Sequence, residues 1–189
     1  MVYFQPLNLL AIEASHKNKG TLEYIKEVRI AQPYTSISGD IAKTTIAIFV
    51  SEVLHHCIKE EEKNQALYSF LETALLWLDS HNETANFHLI LLLEVTKFLG
   101  FYPENTLESA AFFEMTDGVF TPYESLTCLS ADETVLLKKL MQLKFDNSTK
   151  AFHVTERHTL LKILMDYYAC HLDGFKRPKS LEVLREVFS

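Results

Sequence analysis

Residues 87–100 read FHLILLLEVTKFLG, and this stretch decides the fold of the chain. The segment is apolar almost all round, and a helix without a polar face is buried by its neighbours. Gly100 ends the helix, because glycine adopts the left-handed C-cap conformation without strain. Ser80 and Glu83 have capping-box spacing, which predicts that the helix opens near residue 80. We therefore expect a mainly α protein with this helix at its centre.

Five further helices are predicted around the central one. The first follows Asp40, an N-cap residue. Its broad apolar stripe includes Ile41, Ile48, Phe49, Glu52 and Leu54. Ser130 and Glu133 form a second capping box, and Thr155 is the predicted cap of a long helix ended by Gly174. The predicted spans are 41–59, 65–78, 130–143, 155–172 and 181–188.

Two hairpins complete the expected architecture. Residues 3–14 and 22–30 are β-compatible and flank the polar turn at 17–20, but two isolated strands cannot bury a core. Asp117-Gly118 is a typical hairpin turn and predicts a small β-hairpin insertion at about 111–122. The sequence thus predicts an N-terminal β unit at 1–33 and a helical domain at 36–189.

Composition and charge narrow the class of protein. Hydrophobic residues make up 48% and charged residues 23% of the 189 residues, which is typical of a soluble globular protein. The most apolar run is shorter than the roughly 20 residues that span a bilayer, so no membrane contact is expected. Three scattered cysteines argue for a reducing cytosol rather than a disulfide framework. The net charge of −7 requires that any DNA contact come from a local basic surface or from a partner.

The sequence offers no recognisable catalytic machinery. The common glycine-rich nucleotide-binding motifs and the hydrolase nucleophile elbow do not occur. The neighbours His55-His56-Cys57 and Cys170-His171 point in different directions on a helix, so we expect neither a metal site nor a cofactor. An enzyme would need a deep polar pocket with converging ionisable groups, which only a structure reveals.

Basic side chains fall into three groups along the chain. These basic residues either lie on an ordinary solvated surface or contact DNA phosphates. The second interpretation requires that the fold bring the first two groups together into one patch. Tyr3, Phe4 and Tyr24 near the first group either stack on bases or, as we favour, pack in the core. The groups are Lys17, Lys19, Lys26 and Arg29; Lys176, Arg177, Lys179 and Arg185; and Lys138, Lys139 and Lys144.

An ordered series of segments, spread over essentially the whole chain, resembles the RecO family of bacterial DNA repair proteins. The resemblance implies the last strands of an OB-type β-barrel followed by the helical domain. RecO proteins begin with further strands, so the chain is expected to hold only the last part of the barrel. The segments are YFQPLNLL at 3–10, LEYIKE at 22–27, IFVSEVL at 48–54, FHLILLLEVTKFLGF at 87–101 and KSLEVLR at 179–185.

The resemblance also implies a function and partners. RecO proteins are non-enzymatic recombination mediators of the cytoplasm and nucleoid that bind single- and double-stranded DNA and anneal strands. They help load recombinase onto strands coated by single-strand-binding protein, and they bind RecR. They also dock the acidic C-terminal tail of single-strand-binding protein.

An acidic peptide ending in an apolar residue needs a hydrophobic groove rimmed by cations. We expect this groove beside the central helix, at His88, Lys97, Phe98 and Phe101. The alternative is that these are ordinary residues of the helix surface.

The chain departs from the family in one further respect. Many RecO proteins carry a four-cysteine zinc motif between the third and fourth helices, where this chain has only Cys128. Zinc binding is therefore not carried over. The main alternative function is a helical adaptor that binds only proteins and never DNA.

Overall fold

The computed structural model describes residues 3–15, 24–58, 63–104, 110–147 and 150–189. Within these residues the chain is mainly helical, with two small antiparallel sheets. The six helices are α1 (Ile41–Cys57), α2 (Gln65–Ser80), α3 (Phe87–Leu99), α4 (Ala131–Gln142), α5 (Val154–His171) and α6 (Leu181–Val187). The strands are β1 (Leu9–Ser15), β2 (Tyr24–Gln32), β3 (Phe112–Glu114), β4 (Val119–Thr121) and β5 (Cys128–Leu129).

Helix α3 is the centre of the helical domain, as its composition predicts. Its residues from Phe87 to Leu93 are all buried, and α1, α2, α4 and α5 pack around it. Polar backbone groups in this core are paired as well. The hydroxyl of Tyr168, itself buried, donates to the carbonyl oxygen of Leu92 at 2.7 Å. A buried tyrosine needs such an acceptor, because an unpaired hydroxyl in an apolar core costs free energy.

Several predicted helix ends are confirmed. The carboxylate of Asp40 accepts from the backbone N–H of Lys43 at 3.0 Å and so caps α1. Ser130 and Glu133 form the capping box of α4. Gly100 has a φ of 84°, the left-handed conformation expected of a C-cap. In each case the local chemistry of the cap coincides with the end of the apolar pattern.

Other predicted ends are wrong. Ser80 is the last residue of α2, not the N-cap of α3, which begins only at Phe87 after Asn86. Thr155 lies inside α5, where the carboxylate of Glu156 accepts from the backbone N–H of His153 at 2.7 Å.

The apolar stripe predicted for α1 needs correction too. Ile41 is 78% exposed and Ile48 is 38% exposed. Phe49 of the predicted stripe is buried, together with Ile46 and Val53.

The predicted hairpin insertion is confirmed and gains a third strand. Strands β3 and β4 pair around the Asp117-Gly118 turn, and β5 adds on the other side of β3, giving the order β4-β3-β5. Strand β5 has only two residues, which is too short for a periodic sequence signal. The sheet packs on α5 through Phe113, whose ring centroid lies 5.6 Å from that of Tyr167.

Gly118 is the residue of this insertion least able to accept a side chain. Its φ is 71°, and an added Cβ would lie 2.5 Å from the hydroxyl oxygen of Tyr167. We expect Gly118→Ala to lower the free energy of unfolding by about 2 kcal/mol, combining left-handed strain with this clash. Denaturant unfolding measures the loss. The matched control is Gly39→Ala, because a Cβ on Gly39 meets only the carbonyl oxygen of Ser36 at 3.8 Å. Equal losses in both variants would contradict this account.

The carboxylate of Glu114 holds the loop between β4 and β5. It accepts from the hydroxyl of Ser125 at 2.6 Å, from that of Thr127 at 2.9 Å and from the backbone N–H of Thr116 at 3.2 Å. The two hydroxyl donors lower the pKa of Glu114 to about 2. The loop therefore depends on an ionised carboxylate.

Acid is expected to loosen this loop. The pKa of Glu114 is lower in the folded protein than in the unfolded chain, so its stabilising contribution is present above an unfolded pKa of about 4.3. The contribution is lost as the pH falls toward 2. Amide exchange of Ser125 and Thr127 across an acid titration measures the loss, which Glu114→Gln should abolish. Identical acid profiles for both proteins would count against this role.

The N-terminal hairpin stands apart from the helical core. Strands β1 and β2 pair antiparallel with Ile12 opposite Val28, and the register shifts at two places. Its side chains are largely exposed: Tyr24 by 80%, Ile25 by 50% and Ile12 by 48%. Tyr24 is therefore not a core residue, contrary to our expectation. No third strand joins this sheet within the described residues, so they do not form a barrel.

The connector that follows β2 is fixed to the helical domain by Asp79 at the end of α2. The carboxylate of Asp79 accepts from the backbone N–H groups of Thr35 and Ser36, both at 2.8 Å, and from that of Ile37 at 3.0 Å. Lys43, which is buried, donates to the hydroxyl of Ser36 at 2.7 Å and to the carbonyl oxygen of Asp79 at 3.0 Å. These bonds set where the hairpin leaves the helical domain.

Candidate docking cavity and basic surfaces

A cavity of about 590 Å³ opens where three parts of the helical domain meet. The N-terminal ends of α3 and α5 face it, and the residues that follow α6 close one side. Helix N-termini carry partial positive charge from their unpaired N–H groups, so the cavity favours anions. Its lining residues are Ala42, Asn82, Glu83, Thr84, Ala85, Asn86, Lys150, Phe152, His153, Val154, Arg157 and Phe188.

Arg157 is the half-buried cation of this cavity. Its guanidinium donates to the carbonyl oxygens of Phe152 at 2.9 Å and of Phe188 at 3.0 Å. In the described part of the chain no carboxylate lies within ion-pair distance of it. Burial lowers the pKa of Arg157, but a guanidinium stays charged at any physiological pH. Among the described residues, its hydrogen-bond acceptors are thus two neutral carbonyl oxygens.

The rim adds further positive charge above an apolar wall. Lys150 lines the opening with its side chain exposed. Glu83 is the acidic residue of the lining, and it is exposed at the edge. Apolar side chains of Phe152 and Phe188 supply the wall. Anionic groups with an apolar neighbour therefore match this cavity in charge and in polarity.

His88 does not rim a groove, which corrects the sequence prediction. Its ring is buried, 5.5 Å from the ring centroid of Phe188 and 6.2 Å from that of Phe49. Burial lowers the pKa of His88 to about 3, so the imidazole is neutral at physiological pH. A buried neutral ring offers no positive charge to an acidic partner.

The other three residues predicted for partner docking lie away from His88. Lys97 is nine residues further along α3, about two and a half turns, and so faces the opposite side of the helix. Its ammonium pairs with Glu94 at 2.6 Å and lies 4.5 Å from the ring centroid of Tyr102. Phe98 packs on Phe70, and Phe101 stacks on His171. The four residues therefore do not share one surface. The sequence could not show this, because a helix that is apolar on all sides gives no sign of which side faces solvent.

The basic group on the N-terminal hairpin is only partly described. Lys17 and Lys19 lie outside the described residues. Lys26 and Arg29 are exposed on β2, and the ammonium of Lys26 lies 3.7 Å from the carboxylate of Glu13. Both charges of this pair are exposed, so solvent screens the attraction.

The C-terminal basic group lies before and within α6. Arg177 forms an ion pair with Asp166, and Arg185 pairs with Glu182 at 3.0 Å. Lys176 and Lys179 are exposed. The positive charge of Lys179 also contributes to lowering the pKa of Glu52, so three of the four cations have an acidic neighbour.

The N-terminal hairpin and the start of the C-terminal basic group are attached at opposite ends of α1, but Arg185 lies on α6, whose end lines the cavity together with Ala42. The hairpin joins through the connector just before Asp40, whereas Phe175 packs on His56, with 6.3 Å between ring centroids. The helix between these points is about 24 Å long. The points at which the two basic groups join the helical domain are therefore too far apart to form one compact patch. A DNA strand that touches both would run along α1.

Arg157 was missed by sequence analysis, because its role depends on tertiary packing. It lies in the first turns of α5 between two ordinary polar residues, Glu156 and His158. Neither the spacing of motif residues nor a cluster of charges distinguishes Arg157 in the sequence.

Two kinds of site have no support in the described ranges. No helix among them is long and apolar enough to cross a membrane. No three histidine, cysteine or acidic side chains of these residues are gathered so as to hold a metal ion.

Comparison with known proteins gives a consistent result. Residues 38–182 match the family described as "Recombination protein O C terminal". The DNA repair protein RecO of Flavobacterium psychrophilum is 63% identical over 190 residues, covering all of this chain and 80% of the relative. The RecO protein of Flavobacterium johnsoniae is 59% identical over 189 residues, with the same coverage. That of Bacteroides fragilis is 37% identical over 193 residues, covering 99% of this chain and 80% of the relative.

No solved structure matches the chain. The family match falls on the helical domain, and the relatives extend the similarity to the N-terminal hairpin. The resemblance first indicated by short segments is therefore confirmed over the full chain. The chain belongs to the RecO family of DNA repair proteins.

Proposed function

We propose that this chain is a recombination mediator that works without catalysing a reaction. In this proposal it docks the acidic C-terminal tail of single-strand-binding protein and binds single- and double-stranded DNA. It anneals complementary strands in the cytoplasm, at the nucleoid, and with RecR it helps load recombinase. The strands β1 and β2 would be the last strands of an OB-type barrel. The observation that carries the proposal is the cavity in which Arg157 has no acidic partner among the described residues.

The cavity suits the tail better than the surface near Lys97. An acidic tail that ends in an apolar residue needs charged donors beside an apolar wall, and Arg157 with Phe152 and Phe188 supplies both. Lys97 is already paired with Glu94 at 2.6 Å, so it has less to offer a second carboxylate. A volume of about 590 Å³ lies within the usual range for a ligand site. We therefore place tail docking at the cavity.

DNA contact is assigned to the basic groups at the two ends of α1. Phosphate neutralisation by lysine and arginine supplies affinity that falls steeply with salt. The chain carries a net charge of −7, so we expect this affinity to be modest and to rise when RecR is present. Lys176, Arg177 and Lys179 are all exposed, and because Arg177 is bound to Asp166 the two lysines are the first to test.

Two titrations test the proposal, each followed by fluorescence anisotropy over a salt series. One uses labelled single-stranded DNA, and the other uses a labelled peptide of the single-strand-binding-protein tail. We expect both to bind, with DNA affinity falling steeply as salt rises. Absence of binding in both titrations, with and without RecR, would refute the proposed function.

A protein-binding adaptor without DNA affinity is the second candidate. The observation that favours it is the pairing of several basic residues with acids, as in Arg177 with Asp166 and Arg185 with Glu182. Cations held by nearby carboxylates have less attraction left for phosphates. Binding of the tail peptide without any binding of DNA, even with RecR present, would establish this candidate.

A further inference from the structure

The chain's own residues after α6 occupy part of the docking cavity. Arg157 donates to the carbonyl oxygen of Phe188 at 3.0 Å, and the Phe188 ring packs 5.5 Å from the ring of His88. Phe188 is also a lining residue of the cavity. An apolar ring and an oxygen acceptor from this chain thus fill positions that an acidic peptide with an apolar end would use.

Helix α6 has anchoring contacts at its beginning that do not involve residues 187–189. The backbone N–H and the hydroxyl of Ser180 both donate to the carboxylate of Glu52 at 3.0 Å. Leu181 and Leu184 are buried in the core, 5% and 1% exposed. Phe188 is only half-buried. These contacts all precede residue 185, so they can hold α6 in the core when Phe188 gives up its own contacts with Arg157 and His88.

The two kinds of acceptor for Arg157 differ in strength. A carbonyl oxygen is neutral, whereas a carboxylate adds the attraction of opposite charges and can accept two parallel bonds from the guanidinium. Exchange of the Phe188 carbonyl for a peptide carboxylate therefore favours the peptide at Arg157. The exchange also exposes the Phe188 ring, unless an apolar residue of the peptide takes its place beside His88.

We propose that residues 187–189 are an internal competitor that partly closes the docking cavity until an acidic peptide displaces them. This inference rests on the proposed tail docking and adds its regulation. Because only the fraction of molecules with an open cavity binds, the apparent affinity of the peptide is reduced by that fraction. Removing the competitor should raise the affinity about fivefold, if the open form is about a fifth of the population.

The test compares three proteins with one probe. The probe is a labelled nine-residue peptide, rich in aspartate and ending in phenylalanine with a free carboxylate. The proteins are the full chain, a chain shortened by residues 188–189, and the Phe188→Ala variant, which keeps the backbone carbonyl. We expect the shortened chain to bind the peptide about fivefold more tightly than the full chain does. The affinity of Phe188→Ala should lie between those of these two proteins. Val183→Ala, at an exposed position of α6, should bind as the full chain does.

A second measurement follows the displaced residues directly. The backbone N–H of Phe188 donates to the carbonyl oxygen of Leu184 at 3.2 Å, so its exchange with solvent reports on this end of α6. We expect exchange at Phe188 to become faster when the peptide is bound, while exchange at Leu184 stays slow.

The outcomes separate the two proposals. Equal or weaker peptide binding by the shortened chain, with an unchanged melting temperature, would overturn the internal competitor but leave tail docking intact. In that case Phe188 would be part of the groove wall. If none of the proteins binds the peptide, the proposed tail docking is wrong, and the proposal of an internal competitor is wrong as well.

Discussion

Asp79→Ala is expected to lower the free energy of unfolding by about 3 kcal/mol, the largest effect of any substitution considered for this chain. The lost carboxylate accepts three backbone N–H groups, those of Thr35, Ser36 and Ile37, and also the hydroxyl of Thr35 at 2.8 Å. Each buried donor left without an acceptor costs about 1–3 kcal/mol. The carbonyl oxygen of residue 79, which Lys43 binds, is retained.

The pH dependence of stability should change in the same variant. Burial alone would raise the pKa of Asp79, but hydrogen bonds from Thr35, Ser36 and Ile37 hold it well below its usual range. A lowered pKa in the folded protein stabilises it above the unfolded pKa of about 3.9. This stabilisation is lost as the pH falls, and Asp79→Ala should lack it.

Denaturant unfolding at pH 7 measures the loss of stability. Asp79→Asn is the matched control, because its amide oxygen still accepts some of these bonds, and it should lose less than the alanine variant. Faster amide exchange in residues 35–37 would confirm that the connector is what loosens. A loss below 1 kcal/mol in Asp79→Ala would contradict the anchoring role.

Arg157→Met is expected to weaken binding of the single-strand-binding-protein tail at least tenfold. The substitution removes the half-buried cation of the cavity but keeps a long apolar side chain beside Phe152 and Phe188. A tenfold loss corresponds to about 1.4 kcal/mol, the strength of one hydrogen bond to a charged group. The measurement is anisotropy of a labelled tail peptide, together with a thermal melt that confirms folding.

Lys97→Met is the matched control for this prediction. It removes one positive charge from the surface where the sequence placed the groove, so the net charge changes equally in both variants. We expect it to bind the peptide within about twofold of the unaltered chain, because an exposed ion pair contributes little. The reverse result, a strong effect of Lys97→Met and none of Arg157→Met, would return the docking site to the original surface.

The fold could be predicted where a local chemical signal coincides with the end of an element. Asp40, Ser130 and Gly100 mark helix ends through their own side chain or its absence, and all three are confirmed. The spacing of Ser80 and Glu83 matches a capping box by chance, because α2 continues through Ser80. Strand β5 has no periodic signal, because it has only two residues.

The docking cavity could not be predicted, because no local pattern carries it. Arg157, Asn86 and Phe188 come from three separate parts of the chain and line one cavity only in the folded protein. For His88, the sequence predicted a surface role that the structure does not support. Its place in a run of apolar residues fits either face of the helix, and the structure puts it in the core. Which side of a fully apolar helix faces solvent is decided by its neighbours.

The central claim is that tail docking and DNA binding act together in strand annealing. The most direct test is the annealing rate of two complementary oligonucleotides, both coated by single-strand-binding protein, with and without this chain. The account predicts that the chain accelerates annealing, and that the acceleration is lost with Arg157→Met or when the coating protein lacks its acidic tail. Unchanged annealing of coated strands in the presence of the chain and RecR would contradict the account.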